Sequence, residues 1–192
     1  PAGSDVDYAA LTLAQNVLTD APSGRLYKAL VETQMASSVY ASNPFTKDPG
    51  YINFNVSVPS EKSLPAAEEV LKNVLDELKS NPITEDELKR SRSNIMNQLD
   101  QLSRNSGVMG TYMSEFIGAG DWRLSFIHRD RIEGTSLNQV NAAVQKYFIP
   151  TNRTIGTFIP TDAPERVEIP HNDGINDLVA SYEGKKALDV GE

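Results

Sequence analysis

The stretch Ala36–Val58, ASSVYASNPFTKDPGYINFNVSV, decides the fold. Val39, then Ile52, Phe54, Val56 and Val58, alternate with polar neighbours, the period-two pattern of a strand with one buried face. Between the two extended runs stand Asn43-Pro44 and Asp48-Pro49-Gly50, which supply turn chemistry. The pattern predicts an antiparallel pair, Ala36–Tyr40 with Tyr51–Val58.

On the N-terminal side the period is helical. Tyr8, Leu11, Ala14, Val17 and Leu18 share one helical face between Asp7 and Leu18; a turn follows over Asp20–Gly24, then a second helix over Gly24–Glu32. On the C-terminal side Leu64, Ala67, Val70, Leu71, Val74, Leu75 and Leu78 form a broad apolar stripe, ended by Asn81-Pro82. Thr84 and Glu87 have capping-box spacing and open a helix towards Ser106, with Leu88, Ile95, Leu99 and Leu102 inward. A helical segment from Gly107 to Ile117 is broken by Gly118-Ala119-Gly120, and Asp121 is expected to cap a helix holding Trp122, Leu124, Phe126, Ile127 and Ile132. Ser136 with Gln139 forms a second capping box, opening Leu137–Phe148. Arg153–Ile159 alternates Ile155, Thr157 and Ile159 against Thr154, Gly156 and Phe158 and predicts a last strand. Helices grouped between two strand regions predict an α+β fold, an antiparallel or mixed sheet with helices packed on one face. Residues 1–162 read as one domain. Residues 163–192 are rich in Pro, Gly and charge and read as a linker or tail, apart from a short apolar cluster at Leu178–Tyr182.

The chain has 192 residues, enough for a self-sufficient core, and the absence of an initiator Met suggests an excised piece. A net charge of −8, with 18 scattered basic residues, argues against nucleic-acid binding, which needs clustered Lys and Arg to displace counterions. No apolar run approaches the ~20 residues of a membrane span. Cysteine is absent, which removes disulfides, thiolate nucleophiles and cysteine zinc sites together.

Catalytic and metal chemistry find few candidates. The two histidines, His128 and His171, lie far apart in sequence, with no H-x-x-E-H or H-x-x-x-H pair, and a zinc site needs three or four ligands. His128 reads as a partly exposed residue of the charged segment HRDR. No G-x-S-x-G elbow occurs, and the Gly118/Gly120 pair joins two helices instead of a strand and a helix. Glu68/Glu69 and Asp76/Glu77 lie on the outer face of a helix, while Glu85 and Asp86 complement a helix N-terminus. Arg123, Arg129 and Arg131 with Asp130 make a denser cluster, either a carboxylate-binding patch for a peptide or, more plainly, an ion-paired helix face. Asn55-Val56-Ser57 and Asn152-Arg153-Thr154 fit the glycosylation pattern, both inside expected strands, where chance is the simpler account.

Several long, collinear segments resemble a known family. SGRLYKALVE (Ser23–Glu32), ASSVYAS (Ala36–Ser42), KDPGYINF (Lys47–Phe54), PITEDELKRSR (Pro82–Arg92), GDWRLSFIHRDRI (Gly120–Ile132) and KYFIPTNRTIGTFIPTDAPERVEIP (Lys146–Pro170) resemble the non-catalytic domain of bacterial zinc metallopeptidases of the insulinase/pitrilysin type. The resemblance implies a domain of a larger peptidase whose halves close around a peptide. Zinc and the water-activating Glu would belong to a catalytic domain in the same or a partner chain. The ligand motif is absent here, so the resemblance carries over no catalytic, cofactor-binding or metal residue. Tyr51 lies in a strand region comparable to one that holds a substrate carbonyl in the family, but no matching Arg partner accompanies it. A periplasmic location is implied by the resemblance alone. An acidic balance suits a chamber receiving basic peptides. The competing expectation is a stand-alone binding or assembly subunit that partners an active zinc peptidase.

Overall fold

A computed structural model describes residues 1–171 and 174–184. The compact unit Pro1–Thr154 is built around helix α1 (Val6–Thr19), whose residues Tyr8, Ala9, Ala10, Leu11, Leu13, Ala14, Val17 and Leu18 are all buried. The apolar stripe read from the sequence is therefore too narrow: α1 is enclosed on most sides, as a nearly all-apolar helix must be. Asp5 starts α1 by accepting a hydrogen bond from the Asp7 amide.

The Gly24–Glu32 segment is helical as expected, but Tyr27–Val31 is wound as a π-helix. Strands β1 (Ser38–Ser42) and β2 (Asn53–Ser57) then form the predicted antiparallel hairpin, with Val39 opposite Val56 and Ala41 opposite Phe54. Val39, Phe54 and Val56 turn into the core beside Leu26, Leu30 and Leu75. Helices α2 (Leu64–Asp76), α3 (Glu85–Ser103), α4 (Ser106–Gly118), α5 (Leu124–Gly134) and α6 (Leu137–Tyr147) follow. Helices α3, α5 and α6 pack directly on α1. The result is an α+β unit with a small antiparallel sheet.

Both predicted capping boxes form. Thr84 accepts from the Glu87 amide while the Glu87 carboxylate takes the Thr84 N–H, and Ser136 and Gln139 repeat the arrangement at α6. Each satisfies two backbone donors that a helix start leaves without partners. Asn141 of α6 clamps the segment before α3, accepting from the Ile83 N–H at 2.9 Å and donating to the Ile83 carbonyl at 3.0 Å.

Three expectations are corrected. The Arg153–Ile159 alternation makes no strand, because no strand among the described residues pairs with it; Phe158 (86% exposed) and Ile159 (73%) have no core to face. The first compact unit runs from Pro1 to Thr154. Asp121 does not cap α5: its carboxylate accepts from the Arg123 amide in a turn that holds Trp122, and the helix starts at Leu124. Asn152 lies in a short 3-10 turn, Pro150–Asn152, instead of a strand, whereas Asn55 does lie in β2. In the second unit, Ile155–Glu192, the expected apolar cluster forms a short helix, α7 (Ile175–Ala180), and the close at Lys185–Glu192 falls outside the described residues.

Candidate functional site

His128 is not a side chain of a charged face. Its ring is half-buried in a group of aromatics, 5.3 Å from Tyr8, 5.6 Å from Phe45 and 6.3 Å from Phe116 between centroids. Burial, reinforced by the Arg131 charge, lowers its pKa to about 4, so the imidazole is neutral at pH 7. Burial likewise pushes the Tyr8 and Tyr112 hydroxyls up. The Tyr8 hydroxyl donates to the Asn43 carbonyl, which ties α1 to the end of β1. Among the described residues, no three His, Cys, Asp or Glu side chains gather closely enough to hold a metal ion.

The strongest acidic groups are engaged in holding elements together. Asp7 accepts from Lys146 at 2.7 Å and from Tyr147 at 3.0 Å, and these contacts lower its pKa, the Lys146 hydrogen bond most of all. Glu87 accepts two hydrogen bonds from Arg25 at 2.7 Å each. Burial alone would raise its pKa, but the hydrogen bonds from Arg25 and Thr84 outweigh it and hold the carboxyl at about 2. A shallow recess beside it, lined by Asn16, Asp20, Ser23, Arg90 and Ser91 among others, has room for no more than a water molecule. The buried Asn16 Oδ1 there has no hydrogen-bond partner among the described residues, which makes it the natural acceptor for that water.

The arginine cluster does not converge. Arg123 pairs with Asp121 at 2.6 Å, Arg129 with its neighbour Asp130 at 2.8 Å, and Arg131 donates to the backbone carbonyls of Ser4 and Asp5. Arg129 also lies over the Phe126 ring, itself edge-on to Trp122. The plain reading of an ion-paired helix face describes this geometry. Tyr51 is exposed just before β2. The Arg25–Glu87 contact and the ring cluster around His128 were missed in the sequence; only the placement of Glu87 as a capping residue hinted at the first.

Strands β1 and β2 present one further surface. With Val39, Ala41, Phe54 and Val56 on one side of the sheet, Ser38, Tyr40, Ser42, Asn53, Asn55 and Ser57 occupy the other. Every one of these six is a neutral hydrogen-bonding residue.

The sequence pattern of the family described as the peptidase M16 inactive domain matches residues 1–95. Among solved structures, the chain is similar to the inactive peptidase domain of a candidate zinc protease from Bordetella parapertussis. The two are 38% identical over 88% of this chain and 90% of that one, with a TM-score of 0.75. A candidate zinc protease from Bordetella pertussis Tohama I is 37% identical over 84% of this chain and 89% of its own, also with a TM-score of 0.75. A protease from Helicobacter pylori shares the fold at 19% identity and a TM-score of 0.72; the match covers 79% of this chain but 37% of that protein. No curated protein matches the sequence.

Proposed function

Since the chain belongs to the family of inactive M16 peptidase domains, we propose that it supports the zinc-bearing catalytic domain of a peptidase and helps wall the chamber that receives the peptide. Its contribution is shape, electrostatics and rigidity, with zinc and the bond-breaking groups supplied by that catalytic domain, in the same chain or in a partner. The observation that carries the reading is where its ionisable side chains are used. Glu87 is fixed by Arg25, Asp7 by Lys146 and Tyr147, and His128 is caged by rings, so the groups best suited to acid–base work or metal binding hold the fold together. General acid–base catalysis requires such a group to be free to meet substrate with a pKa near the working pH.

The test is reconstitution. The catalytic domain of the parent peptidase is assayed alone, joined to this domain, and mixed with it as a separate chain. Support requires at least a tenfold loss of peptide cleavage when this domain is left out. Equal cleavage by the catalytic domain alone would refute the proposal. Recovery on simple mixing would instead favour the separate assembly subunit. The purified 192-residue chain by itself should hydrolyse no peptide and carry no stoichiometric zinc. An acidic chain of net charge −8 also suits basic peptides, which neutralising its surface Asp and Glu residues would test. A periplasmic location accompanies the reading on resemblance, and cell fractionation checks it.

A further inference from the structure

Helix α5 carries apolar side chains on its outer side. Its inner side is set by Ser125 and Ile132, both buried, with Leu124 and His128 half-buried beside them. The opposite stripe runs Arg123, Phe126, Ile127, Asp130, a spacing that keeps all four on one helical face. Arg123, at the N-cap, already has helical backbone angles and so belongs to that stripe. Phe126 is 43% exposed and Ile127 44%, and Trp122, 49% exposed, stands edge-on to Phe126 at 5.7 Å between centroids. The apolar centre is thus closed at one end by a cation and at the other by an anion. Arg123 binds Asp121 through Nε and Nη2, and Asp130 binds Arg129 through Oδ1, while Arg123 Nη1 and Asp130 Oδ2 engage no other group among the described residues. Charge on this helix is balanced. From Asp121 to Gly134 the acidic Asp121, Asp130 and Glu133 match Arg123, Arg129 and Arg131, in a chain whose net charge is −8.

We propose that this face is where a second copy of the chain docks, α5 against α5, antiparallel about a two-fold axis. An axis passing between Phe126 and Ile127 sets Phe126 of each copy against Ile127 of the other. The same axis brings Arg123 of each copy to Asp130 of the other, because both lie about 5 Å along the helix from its centre, on opposite sides. Each contact therefore occurs twice, the mark of an isologous interface. The stripe is its own complement in charge as well as in shape. The end pairs use the open Nη1 and Oδ2, so the ion pairs within each copy remain intact. Copies carrying −8 each repel wherever their acidic surfaces meet, and the balanced α5 face is where that repulsion is absent. Trp122 and Phe126 supply rigid aromatic area at the centre, where contact energy concentrates. The proposal is independent of the chamber-wall reading, since it needs neither zinc nor peptide. In a peptidase that carries this domain, the face would pair two enzyme molecules.

Sedimentation equilibrium of the 192-residue chain tests this, with wild type expected to show a reversible monomer–dimer equilibrium. Arg123→Glu makes both end pairs of a homodimer acidic, and Asp130→Lys makes both basic. Each variant alone should dimerise at least ~10-fold more weakly. Mixed in equal amounts, the two variants again join opposite charges at both ends. Their heterodimer should return to within about threefold of the wild-type constant. Phe126→Ser should leave a monomer. All three positions are exposed, and thermal melting like that of wild type confirms each fold. Should Phe126→Ser melt earlier, the two charge variants and their mixture carry the test. Wild type that stays monomeric up to about 1 mM would overturn the proposal. So would charge variants that dimerise as wild type does, or that fail to recover on mixing. A dimer of the isolated chain that disappears once the domain is joined to its catalytic domain would make the face an interdomain contact, and would overturn it equally.

Discussion

Arg25 and Glu87, 62 positions apart in sequence, meet in a two-pronged ion pair, Nε to Oε1 and Nη2 to Oε2, both at 2.7 Å. The same guanidinium donates to the carbonyls of Asn81 at 2.6 Å and Pro82 at 2.8 Å, and the same carboxylate accepts from the Thr84 amide and hydroxyl. One arginine at the head of the π-helix therefore fixes both the loop after α2 and the first turn of α3. The side chains are 16% and 17% exposed, so little water competes with these bonds.

Removing the arginine should be costly. Arg25→Ala strands the Glu87 carboxylate and two backbone carbonyls, and breaking a sheltered pair in this way costs about 3 kcal/mol. For a chain of this length that corresponds to a fall in Tm of roughly 6–12 °C, readable by calorimetry. Arg25→Lys should recover only part of it, because an ammonium cannot reproduce the planar fork. A change in Tm below 2 °C for the alanine variant would mean the pair is ornamental.

The depressed pKa of Glu87 makes stability sensitive to acid. With the folded carboxyl at about 2 and an ordinary value near 4.5, the unfolded chain binds more protons between those limits. The contribution is complete above pH 4.5 and is lost as the pH falls towards 2, on the order of 2 kcal/mol by pH 3. Glu87→Gln should be less stable at pH 7 and should flatten that part of the profile. Parallel urea-unfolding curves for both proteins between pH 5 and 3 would contradict this.

His128 sets a second, higher window. Its folded pKa of about 4 lies below the ordinary 6.5, so the unfolded chain takes up the proton first as the medium is acidified. Stability is whole above pH 6.5 and declines down to pH 4, by on the order of 2 kcal/mol between pH 7 and 5. His128→Phe, which keeps a ring in the cluster, should abolish this decline. Imidazole proton shifts followed by NMR give the pKa directly, and a midpoint near 6.5 would show that the ring is not caged in solution.

What could be read from the sequence was local. Thr84 with Glu87, and Ser136 with Gln139, are three residues apart, and a capping box needs nothing beyond that spacing. The antiparallel β1–β2 pairing followed from alternation on either side of the turn signals, although the register itself did not. What escaped depended on distant residues. The partner of Glu87 comes from the other side of two strands and a helix, and the rings that enclose His128 come from α1, the hairpin loop and α4. Arg153–Ile159 has strand composition, but a strand exists only against a neighbour, and alternation cannot say whether one is present. The π-winding of Tyr27–Val31 carries no periodic signature over so few residues.

The glycines offer opposite outcomes from one substitution. At Gly24 an added Cβ would meet the Asp20 amide nitrogen and carbonyl oxygen and the Leu18 carbonyl oxygen, all at 2.7 Å. These are backbone atoms of the α1 terminus, which cannot swing aside as a flexible side chain would. Gly24→Ala should therefore destabilise by about 1–3 kcal/mol, the range for forced overpacking. Gly110 sits inside α4 with nothing within 4 Å of where its Cβ would stand. There the methyl meets no obstacle, helical propensity favours alanine, and the unfolded chain loses freedom, so Gly110→Ala should stabilise by about 0.5–1 kcal/mol. Urea midpoints for the two variants should move in opposite directions from wild type. A destabilised Gly110→Ala would place another surface against α4 in solution, and an unaffected Gly24→Ala would mean that the close approach between Gly24 and the α1 terminus is looser than 2.7 Å implies.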